Sequence, residues 1–168
     1  MEAISGDQEL KTFVLSKRES SELLDKLGSS WPKSAIPAAK SITAYVVEEG
    51  KRLLVANEHV IGAQLGEKIL PFVGASPELL SSFPSVTVDM GAVKFVCNGA
   101  KVMRPGITAF DSFRKGDIVI VKDQVHGKVL AAGIALADSE SARAMQKGYV
   151  VENLHYISDE LWEEFKKI

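Results

Sequence analysis

The chain has 168 residues, of which 46% are hydrophobic and 25% charged, and its formal net charge is −2. This composition excludes global disorder, and the length suits one large domain or two small ones. No stretch approaches the roughly 18 apolar residues of a membrane span, and the acidic N-terminus lacks the apolar core of a signal peptide. The single cysteine, Cys97, excludes an intrachain disulfide. The sequence therefore predicts a cytoplasmic protein with no membrane association.

Strand-like and helix-like patterns alternate through the first half of the chain. The leucines at positions 23, 24 and 27 predict a helix, which Ser16 or Ser20 would cap. Ser76 followed by Pro77 predicts the start of a second, short helix. Strand patterns occur at residues 10–15, 41–47, 51–56, 59–66 and 69–73. The two strands around residues 48–50 predict a β-hairpin.

The second half contains three predicted helices between strands. Asp89 would cap a helix over residues 90–98, a serine would cap one over 139–146, and residues 158–167 would form the last. Strand patterns lie at residues 85–88, 118–121 and 149–151. Pro84 and the new strand after it predict a domain boundary. We expect two packed domains, residues 1–83 and residues 84–168.

Charge is distributed unevenly along the chain. Residues 1–89 carry a net charge of −3, residues 90–136 carry +4, and residues 137–168 carry −3. Between Gly91 and Phe110 there are three cations, Lys94, Lys101 and Arg104, and no carboxylate. A basic segment in a mildly acidic protein is typical of a local phosphate-binding face. The alternative is a solvated face on which cations cluster by chance.

Five motifs in the second half combine glycines with β-branched residues. They are Asp89–Val96, Asn98–Ile107, Lys115–Val119, Gly127–Gly133 and Lys147–Val151. In this order and at this spacing they resemble the PUA domain, an RNA-binding module named after pseudouridine synthases and archaeosine transglycosylases. The segments Gly91–Val96 and Val151–Trp162 also resemble the malignant T-cell-amplified sequence family and its archaeal relatives.

The resemblance carries expectations about fold and function. It implies an α+β fold in which a small N-terminal α+β domain packs on a C-terminal PUA-type β-barrel. It implies a non-enzymatic RNA-binding factor linked to the small ribosomal subunit and to translation initiation, re-initiation or ribosome recycling. Eukaryotic members act with a partner protein, and the N-terminal domain would be the contact for a protein partner of this chain.

The glycine-rich and cation-rich stretch is the predicted RNA-binding site. Because Gly91, Gly99 and Gly106 lack a Cβ, backbone N–H groups there can approach a phosphate closely. The start of the following helix adds partial positive charge. The cations at 94, 101 and 104 would complete a cradle for the RNA backbone. In the alternative interpretation the glycines only form turns.

Further residues extend this candidate site. Asn98 and Met103 could contact bases, and Arg114 and Lys115, at a predicted turn, would widen the basic face. Phe95 lies in an apolar run and is expected in the core. Met103 belongs to a residue type that packs more often than it reads bases.

A search for catalytic residues finds none. His59, His126 and His155 lack metal-ligand spacing, and Cys97, in an apolar run, is expected to be a buried, inert thiol. Nucleophile-elbow, P-loop and dinucleotide motifs are missing from the sequence. Residues 1–83 are too short for the catalytic domain of a pseudouridine synthase. We therefore expect no catalytic residue, no metal and no cofactor.

Three functions remain open from the sequence. The first is a factor that binds structured rRNA or tRNA during translation. The second is a protein-interaction adaptor that uses the acidic N-terminal domain or the terminal helix with Trp162. The third is a non-catalytic accessory subunit of an enzyme that modifies tRNA or rRNA.

Overall fold

The computed structural model describes residues 11–168, so the predicted strand residue Leu10 lies outside the described residues. The first half of the chain forms a sheet of five antiparallel strands that follow one another in chain order. They are β1 (Lys11–Val14), β2 (Thr43–Glu48), β3 (Lys51–Ala56), β4 (His59–Leu65) and β5 (Lys68–Pro71). The predicted hairpin joins β2 to β3.

The second half forms a six-stranded sheet. Its strands are β6 (Ser85–Val88), β7 (Val102–Met103), β8 (Ile107–Phe110), β9 (Ile118–Asp123), β10 (Val129–Ala135) and β11 (Tyr149–Tyr156). The spatial order is β7-β11-β10-β9-β6-β8, and only the β6–β9 pair is parallel. The edge strands β7 and β8 are separated by a single 3-10 turn, Arg104–Gly106, so the sheet curls round into a nearly closed barrel. The predicted α+β class and barrel are confirmed.

Five helices connect or flank the strands of the described part. They are α1 (Lys17–Gly28), α2 (Pro77–Ser81), α3 (Met90–Val96), α4 (Ser139–Ala144) and α5 (Glu160–Phe165). Ser16, and not Ser20, caps α1 through a capping box. Ser20 is buried, and its hydroxyl accepts a hydrogen bond from the Ile42 N–H. Asp89 caps α3 as predicted, because its carboxylate accepts from the Ala92 N–H. Within residues 11–168, no helix has both the length and the apolarity to cross a bilayer.

Some sequence predictions for the second half were wrong in detail. The N-cap of α4 is Asp138, whereas the predicted capping residue Ser139 is buried and exchanges hydrogen bonds with the backbone N–H and C=O of Phe113. The final strand runs to Tyr156 and is longer than predicted. Helices α3 and α5 are each shorter than predicted. The tertiary hydrogen bonds between Ser139 and Phe113, which local patterns do not contain, decide the first of these cases.

One of the apolar clusters contains residues of both sheets. Trp31 and Leu27 pack with residues of the first sheet and with Ile118 and Ile120 of the barrel strand β9. A second cluster, which includes Val86 and Val119, fills the barrel. Helix α5 returns to the first sheet, where Leu161 packs with Leu53, Ala63 and Phe72. The domain boundary between residues 83 and 84 stays a prediction. Helix α5, which this boundary assigns to the second domain, packs on the first sheet.

A buried histidine joins the end of the chain to the first sheet. His155 is fully buried, its Nε2 accepts from the Val73 N–H at 3.1 Å, and its Nδ1 lies 2.7 Å from an Asp159 carboxylate oxygen. Because Nε2 accepts, Nδ1 carries the proton and donates it to Asp159. The expectation that His155 is structural agrees with this geometry.

The carboxylate of that pair is stabilised in its ionised form. Burial raises the pKa of Asp159, but the hydrogen bonds from the His155 ring and from the backbone N–H groups of Trp162 and Tyr156 outweigh it, and the pKa falls below its ordinary value of 3.8. A lowered folded-state pKa contributes stability above the unfolded value. That contribution is therefore present at neutral pH and is lost as the pH falls from about 4 through the folded-state pKa.

Candidate nucleic-acid interface

Strand β7 and the start of β11 expose a small surface of basic, apolar and aromatic side chains on the barrel. Val102 is buried, so its neighbours Lys101 and Met103 project from the opposite, outer side of the strand. Met103 pairs directly with Tyr149 across the two strands, which places their side chains side by side. The Lys101 ammonium lies 5.3 Å from the centroid of the Tyr149 ring, and Tyr149 is 52% exposed.

Helix α3 contributes a second exposed aromatic ring with a lysine over it. Phe95 is 57% exposed, and the Lys94 ammonium lies 5.2 Å from its ring centroid. The prediction that Phe95 belongs to the core was wrong. Ala92, Val93 and Val96 form the face of α3 that packs on the barrel, and Phe95 projects from the side of this short helix.

Backbone contacts hold these two parts beside each other. The Phe95 carbonyl accepts from the Ala100 N–H at 3.0 Å, and Lys101 follows directly. We name the exposed side chains of Lys94, Phe95, Lys101, Met103 and Tyr149 the aromatic–lysine surface. It contains two exposed aromatic rings, each with a lysine ammonium over it, and the chain carries no carboxylate between residues 91 and 110.

Arg104 is already engaged within the molecule. One guanidinium nitrogen donates to the Ile107 carbonyl at 3.0 Å and another to the Arg143 carbonyl at 3.3 Å. Its Cζ lies 5.0 Å from the centroid of the Phe110 ring. Arg104 is half-buried and held between β8 and α4, whereas Lys94 and Lys101 are exposed.

The three glycines of the predicted cradle differ in whether the fold requires a glycine at that position. Gly99 has φ +88°, and a Cβ there would lie 2.9 Å from the Tyr156 hydroxyl, so folding alone explains this glycine. A Cβ on Gly106 would be tight, 3.2 Å from the Ala92 Cβ. Gly91 is exposed and has ordinary φ, and its Cβ would meet only an Asp89 oxygen at 3.4 Å. Only Gly91 is therefore left without a clear folding requirement.

The other predicted site residues lie at exposed turns. Arg114 and Lys115 occupy the loop before β9, and their backbone N–H groups donate to Asp117 and Asp138 at 2.9 and 2.8 Å. Carboxylates therefore accompany this pair, in contrast to the surface around Lys101. Asn98 is exposed directly after α3. The sequence placed Tyr149 only in a strand, although the alternation with buried Val150 was a signal that its ring faces outward.

Among residues 11–168, no cluster of three or more histidine, cysteine or carboxylate side chains could hold a metal ion. Cys97 is half-buried, less than predicted, and burial raises the pKa of its thiol against the opposing charge of Lys128. A raised pKa disfavours the reactive thiolate at neutral pH.

Comparison with known proteins identifies the barrel and the family. Residues 84–157 match the PUA domain. An uncharacterised protein of Methanocaldococcus jannaschii is 32% identical over 90% of this chain and 95% of its own length. Translation machinery-associated protein 20 of Saccharomyces cerevisiae is 28% identical over 82% of this chain and 83% of its own. Malignant T-cell-amplified sequence 2 of Homo sapiens is 28% identical over 96% of this chain and 92% of its own length.

Solved structures give the same result. A hypothetical protein of Pyrococcus horikoshii superposes with a TM-score of 0.76 and 26% identity, over 92% of this chain and 99% of that one. A conserved PUA domain protein of Thermoplasma acidophilum superposes with a TM-score of 0.71 and 26% identity, over 92% of this chain and 99% of that one. The chain is thus a PUA-domain protein. It belongs to the PUA-domain family that includes translation machinery-associated protein 20 and the malignant T-cell-amplified sequence proteins.

Proposed function

We propose that this protein is a non-catalytic RNA-binding factor of the translation machinery that contacts structured rRNA or tRNA through the aromatic–lysine surface. The observation that carries the proposal is the pair of exposed rings, Phe95 and Tyr149, each with a lysine ammonium 5.2 or 5.3 Å from its centroid. The PUA domain and the names of the relatives support an RNA-binding role linked to translation. The small ribosomal subunit, at initiation, re-initiation or recycling, is the proposed place of action.

In the proposed RNA binding, the aromatic rings and the ammonium groups contact different parts of the RNA. Unpaired bases stack on exposed aromatic rings, which is worth about 1–3 kcal/mol per base, and RNA recognition favours such splayed bases in loops and at ends. The adjacent ammonium groups neutralise phosphates and release counterions. Because the net charge of −2 gives no general attraction to RNA, binding depends on this local surface.

A salt titration tests the proposal. The Lys101→Gln variant should bind a defined tRNA or isolated small ribosomal subunits more weakly. Its plot of log affinity against log salt should be shallower by roughly one unit, the slope of one lost phosphate contact. Filter binding across a salt series measures both quantities. Lys33→Gln, an exposed lysine between α1 and β2, is the matched control and should leave affinity and slope unchanged. Identical slopes for the two variants would contradict the proposal. A preference for tRNA with a modifying enzyme co-purifying would favour the accessory-subunit hypothesis instead.

A protein contact through the N-terminal domain is a second proposal, favoured by the edge strand β1. Phe13 and Val14 are 52% and 73% exposed there, and exposed apolar residues on an edge strand are typical of interaction sites. Replacing both by serine should weaken co-sedimentation with small ribosomal subunits at least about tenfold while the affinity for free tRNA stays unchanged. Val125→Ser, at an exposed barrel hairpin, is the control. Equal co-sedimentation of wild type and variant would exclude this contact.

A further inference from the structure

Two arginines flank one aromatic ring at the seam of the barrel. The guanidinium carbons of Arg104 and Arg143 lie 5.0 and 5.7 Å from the centroid of the Phe110 ring. Arg143 donates to the Phe110 carbonyl at 3.0 Å, and Arg104 donates to the Arg143 carbonyl at 3.3 Å. These contacts bring two positive charges together at the place where β8 approaches α4.

The pair lacks a counter-charge within residues 11–168. No carboxylate oxygen of that part lies within 4.0 Å of either guanidinium, even though Glu140 stands one helical turn before Arg143. The neighbouring Asp111 instead accepts hydrogen bonds from the Ser85 N–H and hydroxyl. Two like charges held close together repel each other. A bound anion would relieve that repulsion.

Hydrogen-bond donors remain available at this pair. A guanidinium has five N–H donors, and the contacts above leave part of this capacity free in both side chains. The Arg104 Nε is buried without an acceptor. Arg143 is exposed on the short helix α4, so its free donors face solvent. Arginine donors form a planar fork that matches the oxygens of a phosphate group.

We infer that Arg104 and Arg143 together form a binding site for a phosphate group. The backbone N–H of Arg104 donates to the Gly148 carbonyl at 2.8 Å, so the site adjoins Tyr149 and the aromatic–lysine surface. In RNA, the phosphate would belong to a nucleotide next to one that stacks on Tyr149, an assignment that rests on the proposed function. Free inorganic phosphate has the same chemistry and is the other source.

Arg143 gives the cleaner test, because Arg104 also holds β8 in place through the Ile107 carbonyl. The Arg143→Gln variant should bind inorganic phosphate at least about tenfold more weakly than wild type, the size of one lost charge-assisted contact. Arg143→Lys keeps the positive charge but loses the planar fork of N–H donors. Its phosphate affinity should lie between those of wild type and Arg143→Gln. Titration of the arginine side-chain N–H resonances with sodium phosphate measures the affinity, and the backbone amide spectrum reports that each variant is folded.

The matched control is Arg18→Gln, an exposed arginine of α1 whose Nε donates to Glu22 at 3.1 Å. It should bind phosphate like wild type. Unchanged phosphate affinity in Arg143→Gln, or no saturable binding by wild type, would overturn the inference. A parallel filter-binding titration with tRNA identifies the source. A drop in affinity for tRNA assigns the site to RNA, and loss of phosphate binding alone assigns it to free phosphate.

The outcomes for the two proposals are distinguishable. If Arg143→Gln changes neither affinity while Lys101→Gln still weakens RNA binding, the arginine site is excluded and the RNA-binding surface stands. If the lysine variant has no effect but Arg143→Gln loses phosphate binding, the phosphate site stands without the aromatic–lysine surface.

Discussion

Replacing both Phe95 and Tyr149 by alanine is expected to lower RNA affinity about thirtyfold or more, with little loss of stability. Each stacked base contributes about 1–3 kcal/mol, and each 1.4 kcal/mol corresponds to a factor of ten in affinity. The rings are 57% and 52% exposed, so their removal creates no cavity in the core. Fluorescence anisotropy with a labelled single-stranded RNA and with a tRNA would measure the change.

Phe13→Ala is the matched control for this experiment. Phe13 is an aromatic residue of the same exposure, 52%, on the first sheet, and its loss should not affect RNA binding. The single variants Phe95→Ala and Tyr149→Ala should each lose part of the affinity, roughly additively if each ring stacks a separate base. RNA affinity within twofold of wild type in the double variant would show that bases do not stack on these rings.

Replacing His155 by alanine is expected to destabilise the protein by about 3–5 kcal/mol, from lost core packing and two unsatisfied hydrogen-bond partners. The substitution removes the acceptor of the buried Val73 N–H and the donor to Asp159 at once. It leaves a partly buried carboxylate without its main partner, which costs more than the loss of an ordinary hydrogen bond. It also removes the ring that stacks 5.5 Å from Phe72. Equilibrium unfolding in urea, followed by tryptophan fluorescence, would measure the free energy of unfolding.

His59→Ala is the control, because His59 is exposed at the start of β4. It should change the free energy of unfolding by less than about 0.5 kcal/mol. A loss below about 1 kcal/mol in His155→Ala would mean that water replaces both hydrogen bonds and that the pair does not hold the first sheet to the barrel.

Local chemistry made the starts of α1 and α3 predictable. Asp89 lies directly before an apolar helical pattern, and Ser16 precedes Glu19 at capping-box spacing, so short-range hydrogen bonds decide both. The barrel was accessible only through the resemblance, because the parallel pairing of β6 with β9 joins residues far apart in sequence.

The candidate site was only partly predictable for a related reason. The sequence identifies Lys94 and Lys101 as cations in a segment without carboxylates, but solvent exposure depends on which helix face meets the barrel. Phe95 therefore looked like a core residue. The role of Arg143 depends on a neighbour 39 positions earlier, Arg104, and no local pattern encodes a contact at that separation.

The return of α5 to the first sheet has a consequence for the geometry of any larger complex. The chain passes from the first sheet to the barrel and then comes back, so Leu161 and His155 anchor α5 and β11 to the first half of the chain. Swinging the two sheets apart would expose Phe72 and break the His155 contact together. The molecule should therefore dock as one rigid body, and an RNA bound on the barrel would fix the position of β1 relative to that RNA.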